Sequence, residues 1–270
     1  MFGFLVSIYN TAFYEPLLNA LVFLINVLPT HDIGIAVIIL TIIVKFIIFP
    51  FQHRSVMAQR KIRSLEPELK AIKEKYKKDN QEQAKKMMEL YRAHGVNPFS
   101  GFMVLLVQLP VFIALYKIFM VGADFDLSRI YSFISTPTDI NVKFLGLIDM
   151  TKVNYILAAT AGITQFFQMK LAIPPIKKAG KMGKSFKDDL VKSMSVQAKY
   201  IMPAFVFFIA LKFSSAMALY WTTMNIFAIV HESVVKRKAE KIVDNKGKNN
   251  GKANGNNQDI DRESPPKNVH

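Results

Sequence analysis

Long apolar runs constrain this chain most, because a bilayer core of about 30 Å needs roughly 20 apolar residues in one helix. Five runs reach or approach this length. They extend from about Ile33 to Phe51, Phe99 to Val121, Val153 to Ile173, Tyr200 to Leu211 and Ser215 to Val230. The last two are short and are separated by a tight turn at 212–214, which suits locally thinned lipid. The pattern predicts an all-α, polytopic membrane protein with five transmembrane helices.

Composition supports a membrane class. The chain is 51% hydrophobic with 22 Phe and 13 Met, yet it carries a formal net charge of +15. A soluble domain of 270 residues has too little core for so much large apolar surface. The absence of Cys excludes disulfides, thiolate metal sites and cysteine nucleophiles.

The N-terminal segment has a shorter apolar run, from Leu17 to Leu28, between Pro16 and Pro29. A dozen residues are too few to span a bilayer as a helix, so the prediction is an interfacial helix within an extracytoplasmic segment, 1–31. A sixth span, with the N-terminus inside, is the alternative.

Charge asymmetry predicts the orientation, because Lys and Arg beside a span are retained in the cytoplasm. Residues 52–95 hold twelve Lys or Arg and residues 172–198 hold six, whereas the first 44 residues have none. The loop 122–152 has three, against four Asp. The N-terminus is therefore predicted outside and the C-terminus in the cytoplasm.

Residues 52–95 have helical periodicity and predict a cytoplasmic hairpin of two helices. One apolar stripe consists of Leu65, Leu69, Ile72 and Tyr76, with Pro67 at the start of its helix or kinking it. Gly95 is the predicted C-terminal cap of the second helix. A solvated linker is the alternative.

The end of the chain, 236–270, loses its apolar residues and is predicted to be a disordered, basic cytoplasmic tail. Its first lysines and arginine could bind RNA or anionic lipid, and the remainder reads as a solubilising tail.

Lys45 is the first candidate functional residue, because a charge at the centre of a span costs about 3 kcal/mol. It lies six residues before Phe51, so its ammonium could instead reach the headgroups by snorkelling. Thr41 lies one helical turn away on the same face. The predicted spans contain no Asp or Glu that could neutralise Lys45.

The other spans supply polar residues that should turn away from lipid. With Thr41 and Lys45 they form the predicted substrate groove: Gln108, Gln165, Gln168, Tyr220, Trp221 and Asn225. They could enclose a hydrated cavity around Lys45, or simply form hydrogen bonds between helices, at about 0.6 kcal/mol each.

Several motifs together resemble the YidC insertase family. Thr41 to Pro50 and Ser64 to Lys70 are similar to its first conserved span and its hairpin, and His94 to Pro98 with Leu105 to Tyr116 are similar to its second span. Ala161 to Phe167 and Ala218 to Asn225 complete the set, in the same order and spacing.

The resemblance implies a membrane protein insertase of the bacterial inner membrane that is not an enzyme and needs no cofactor or metal. Its core would be residues 32–235, and its groove would open to the cytoplasm and to lipid. The implied partners are nascent membrane proteins and the lipid bilayer, with the Sec translocon, the ribosome and the signal recognition particle machinery as candidates through the hairpin and tail. Lys45 stands where the family usually has arginine. The large extracytoplasmic domain of Gram-negative members is not found, so a compact type is expected.

Other functional classes fit the sequence less well. A small transporter or channel is the alternative, but no second half resembles the first. An intramembrane hydrolase lacks a His-Glu-x-x-His motif and intramembrane carboxylates. A purely structural scaffold would show no groove-dependent activity.

Overall fold

The chain is described by a computed structural model that covers residues 2–121, 125–137, 139–173 and 186–235. The predicted tail, 236–270, and residues 174–185 of the predicted basic loop lie outside these residues. The helices are α1 (Phe2–Tyr9), α2 (Glu15–Val27), α3 (Ile33–Ser64), α4 (Glu66–Lys75), α5 (Asn80–Ala93), α6 (Ser100–Met120), α7 (Tyr155–Ala172), α8 (Phe186–Ala210) and α9 (215–235). The all-α class is therefore confirmed.

Three helical stretches of the described chain are long and apolar enough to cross a membrane. They are Gly3–Val27, Ile33–Ser64 and Ser100–Met120. The apolar part of α8, Lys199–Ala210, is shorter. The predicted turn at 212–214 lies between α8 and α9.

The N-terminal helical segment is longer than the predicted dozen residues. Helical structure begins at Phe2 and continues through a π-helical turn, Asn10–Tyr14, into α2. Proline removes one backbone donor and crowds the preceding turn, so the wider π turn accommodates Pro16 without ending the helix. Leu18, Leu21 and Ile25 are fully buried, so α2 belongs to the core.

The helix that carries Lys45 also differs from its prediction. It does not stop near Phe51 but continues to Ser64, through Pro50. At its start, Asp32 Oδ1 accepts hydrogen bonds from the backbone N–H groups of Gly34 and Ile35, which is an N-cap.

A short antiparallel β-hairpin covers the start of α3. Strands β1 (Lys143–Phe144) and β2 (Ile148–Asp149) pair across a turn at Leu145 and Gly146, both with positive φ. The second oxygen of Asp32 accepts a hydrogen bond from Leu145 N at 2.8 Å. The hairpin therefore fixes the beginning of α3.

Helices α4 and α5 contact each other beyond the end of α3. Gln83 Nε2 donates to Lys73 O at 3.0 Å across the connection. Leu65 and Leu69 are buried, and Ile72 and Tyr76 are half-buried, as the stripe predicts. Pro67 lies in the first turn of α4, where its missing N–H costs nothing.

The C-terminus of α5 has the predicted glycine cap. Gly95 has φ +62°, and the N–H of Val96 donates to Tyr91 O while that of Gly95 donates to Arg92 O. This pair of hydrogen bonds is the Schellman motif.

Candidate functional site

Three helices bring Lys45, Gln108 and Tyr220 together in one hydrogen-bonded chain. Lys45 Nζ on α3 donates to Gln108 Oε1 on α6 at 3.1 Å. Gln108 Nε2 then donates to the hydroxyl of Tyr220 on α9 at 2.8 Å. Lys45 is 5% exposed and Tyr220 is 1% exposed. The ammonium therefore lies inside the helical bundle and does not snorkel outwards.

The opposite face of α3 explains why Lys45 turns inwards. Phe46 and Ile47, the next two residues, are 64% and 68% exposed and lie on the outer surface of the bundle. An ammonium on that face would meet lipid, whereas Gln108 offers it a carbonyl oxygen inside.

Thr41 lies one turn before Lys45 and is buried, but its hydroxyl serves its own helix. Oγ1 donates to Val37 O at 2.6 Å, the carbonyl four residues earlier. The hydroxyl satisfies its donor locally. Within the described residues, Thr41 therefore lies beside Lys45 without a hydrogen bond to it or to Gln108.

The remaining predicted groove residues form a second cluster, between α7 and α9. Trp221 Nε1 donates to Gln165 Oε1 at 3.3 Å, and Gln165 Nε2 donates to Gln168 Oε1 at 3.2 Å. Asn225 Nδ2 is within hydrogen-bond distance of Ala161 O and of Thr164 Oγ1. Trp221 also packs edge-on against Phe112 of α6 at 5.9 Å between ring centroids.

The predicted groove did not include Thr160 and Thr164, which belong to this cluster. Thr160 Oγ1 lies 3.5 Å from Thr222 Oγ1, and Thr164 contacts Asn225. Thr160 and Thr164 are four residues apart, on a face that continues to Gln168. This helical spacing is the sequence pattern from which the two threonines could have been predicted.

The electrostatics at Lys45 are those of a lone cation. Its one side-chain hydrogen bond within the described chain is to a neutral amide, and the ion pairs found there lie elsewhere, in the polar helices and loops. Within the same residues, no group of three or more His, Asp or Glu could hold a metal ion. The arrangement can attract an anion or a polar acceptor, but it contains no nucleophile paired with a base.

Fold and site together define an all-α, multi-pass membrane protein whose described residues place the Lys45 ammonium and two polar clusters in the interior of the bundle. The sequence matches the family described as 60Kd inner membrane protein over residues 24–242. The chain belongs to this family.

The relatives it matches are named membrane protein insertase YidC. One from Geotalea daltonii is 30% identical and covers 84% of this chain and 38% of the relative. One from Geobacter sulfurreducens is 32% identical, over 83% of this chain and 37% of the relative. Another, from Methylorubrum extorquens, is 29% identical. The chain thus spans little more than a third of the length of these curated relatives. The predicted family resemblance is confirmed.

Proposed function

We propose that this protein is a membrane protein insertase, which moves hydrophobic segments and short polar tails of nascent proteins into the bilayer. The observation that carries the proposal is the buried Lys45, whose ammonium binds a neutral amide. The names of its relatives point to the same activity. The protein acts without a chemical reaction, so it is not an enzyme.

The mechanism depends on differential solvation. An acidic or polar tail costs much free energy to move through hydrocarbon, and less beside a cation and hydrogen-bonding groups. A hydrated groove would hold Lys45 and Gln108 on one wall and Trp221 with Gln165 and Gln168 on the other. Tyr220 and Trp221 are adjacent on α9, so this helix contributes to both walls.

The apolar segment of the substrate then leaves the groove for lipid. Its burial contributes about 25 cal/mol per Å² of apolar surface. This free energy makes release into the bilayer favourable without ATP. The apolar part of α8 and that of α9 up to Val230 are short for spans, so they would thin the bilayer locally and shorten the polar path.

The proposed topology has five spans, with the N-terminus outside and the C-terminus in the cytoplasm. The spans are α3, α6, α7, the apolar part of α8, and α9 to Val230. Residues 1–31 would form the extracytoplasmic segment, with α1 and α2 in the interface, and residues 32–235 the insertase core. The twelve basic residues of 52–95 support this orientation.

The helical pair α4 and α5 would project into the cytoplasm as a hairpin. Leu65, Leu69, Ile72 and Tyr76 pack its inner face and leave a charged outer face. That outer face and the basic tail are the surfaces for the ribosome or the signal recognition particle machinery, and the Sec translocon is a further candidate partner.

Substitution of Lys45 tests the proposal. Lys45→Gln keeps a hydrogen-bond donor and removes the charge, so insertion of a single-span substrate with an acidic tail should slow about tenfold, equivalent to about 1.4 kcal/mol. Insertion of the same substrate with a neutral tail should change little. The measurement is protease protection of both substrates in proteoliposomes.

Lys45→Arg is the matched control, because it retains the charge, and it should stay near the activity of the unsubstituted protein. Equal slowing of both substrates by Lys45→Gln would contradict the electrostatic role. Solute or ion flux without insertion would instead favour a transporter.

A further inference from the structure

A cavity of about 270 Å³ opens at the end of the bundle that carries the β-hairpin. It lies between the last turns of α6, the segment after β2 and the turn that joins α8 to α9. The N–H groups of Ser215 and Ala216 donate to Lys152 O and Met150 O, so the turn and the segment after β2 are bonded together. This cavity is separate from Lys45 and from the Trp221 cluster.

Three residues with hydrogen-bond donors in their side chains line this cavity: Lys212, Ser214 and Tyr116. Their side chains make no hydrogen bond to the described residues. Ser214 precedes the first residue of α9, yet its hydroxyl makes no cap hydrogen bond there. As far as the described part of the chain is concerned, these donors are available to a ligand that supplies several acceptor oxygens.

The nearby carboxylate of Asp149 is already bound. One of its oxygens accepts from the backbone N–H and hydroxyl of Thr151, and the other lies 3.4 Å from Lys152 Nζ. Thr151 lines the cavity, but its hydroxyl proton is directed to Asp149. Asp149 thus does not neutralise Lys212.

The rest of the cavity is apolar. Phe119 and Met217 are buried beneath it, while Met120 and Val153 are exposed at its edge. Tyr116 and Phe213 pack edge-on, with ring centroids 5.2 Å apart, and form one wall. A ligand with an anionic head and an apolar tail matches this combination of surfaces.

We propose that the cavity binds the headgroup of an anionic phospholipid. The phosphate would accept hydrogen bonds from Lys212, Ser214 and Tyr116, and the first part of an acyl chain would lie on Met120 and Val153. The site is at the boundary between the apolar helices and the polar turns, which is the depth of a lipid phosphate. This binding does not depend on the proposed insertase activity.

The test compares phosphatidylglycerol and phosphatidylcholine with identical acyl chains, bound to the full protein in detergent and counted by native mass spectrometry. The unsubstituted protein should retain phosphatidylglycerol in preference. Lys212→Gln should weaken this preference roughly two- to fivefold, as expected for a partly exposed charge pair. Tyr116→Phe, which keeps the ring against Phe213, should weaken it less.

Two variants serve as controls. Lys152→Gln removes a lysine of the same end that is 78% exposed and bound to Asp149, and it should leave the preference unchanged. Lys212→Arg should retain it, and size-exclusion profiles establish that each variant is folded.

The proposal is overturned if the unsubstituted protein shows no preference, or if Lys212→Gln keeps it. Equal losses in Lys212→Gln and Lys152→Gln would indicate general surface charge and would also overturn it. Displacement of the lipid by soluble glycerol phosphate would show that the acyl chain contributes nothing, against the assignment to lipid.

Discussion

The position of the Lys45 side chain follows from the environments that are available to it. On α3 it can face lipid, reach the headgroups or turn inwards, and it turns inwards to Gln108. The sequence predicts its importance, because no carboxylate lies within the predicted spans. It does not predict which glutamine or tyrosine binds it, because that depends on how α3, α6 and α9 pack.

Gly34 is required by the contact between α3 and the β-hairpin. A Cβ atom added there would overlap the ring of Phe144. Gly34→Ala should therefore destabilise the protein by about 1–3 kcal/mol, as overpacked sites do. Thermal unfolding in detergent measures the loss.

The matching double variant identifies the cause. Phe144→Gly removes the ring together with its Cβ, both of which lie too close to the added atom, so Gly34→Ala should cost much less in its presence. Gly3→Ala is the control, because nothing lies within 4 Å of that position. Equal costs of Gly34→Ala with and without Phe144 would show that the contact is not responsible.

Helix ends were the least predictable elements. Apolarity identifies where lipid contact ends, near Phe51, but α3 continues in polar sequence to Ser64 because those residues still form a helix. At the N-terminus, the π turn before Pro16 leaves no pattern in hydrophobicity. The glycine cap at Gly95 was predictable, because the positive φ there favours one residue type.

The extension of α3 is joined to α9 by two side-chain contacts. His53 Nδ1 lies 3.1 Å from His231 Nε2, and Arg60 Nη2 lies 3.4 Å from the carboxylate of Glu232. Phe49 packs against both imidazoles. Sequence reasoning missed this contact, because the two histidines are 178 residues apart.

The histidine pair predicts a pH dependence. Burial, and next the neighbouring His53, lower the pKa of His231 below its ordinary value of 6.5; Glu232 opposes this and Arg60 adds to it. The folded protein therefore binds this proton less readily than the unfolded chain does. The contribution of His231 to folding stability is therefore fully present above pH 6.5 and is lost as the pH falls below that value.

Thermal unfolding between pH 7.5 and 5.5 measures this effect. Over this range, the melting temperature of the unsubstituted protein should fall by several degrees more than that of His231→Gln. His94→Gln, at the exposed end of α5, should behave like the unsubstituted protein. An identical pH profile for His231→Gln would exclude this histidine as the cause.

At the scale of the whole molecule, α9 joins the two polar clusters. Tyr220 faces Gln108 and Lys45, whereas Trp221 faces Gln165. The sequence predicts which residues are polar within apolar helices, but their division into two clusters follows from the angle between adjacent side chains on one helix. All eight predicted groove residues lie in or beside these clusters.

The absence of cysteine in the chain allows a direct test of topology. In cells, a membrane-impermeant maleimide should label Leu147→Cys, in the β-turn, without permeabilisation. Lys78→Cys, between α4 and α5, should be labelled only after permeabilisation. These results follow from five spans with the hairpin in the cytoplasm.

The same assay decides the role of the first helix. Gly3→Cys should be labelled from outside if α1 and α2 lie in the interface. Labelling of Gly3→Cys only after permeabilisation would show that Gly3–Val27, which is long enough, crosses the membrane. The chain would then have six spans.

Because α3 is long, it can transmit a movement from one of its ends to the other. At 1.5 Å per residue its 32 residues extend about 48 Å, from the anchored Asp32 end to the arm formed by α4 and α5. Pro50 supplies no N–H to Phe46 O, so the rod can bend there, between Lys45 and the far end. A force applied to α4 and α5 would tilt the part of α3 after Pro50 first. The hydrogen bonds of Asp32 would meanwhile hold the Lys45 ammonium at a fixed depth.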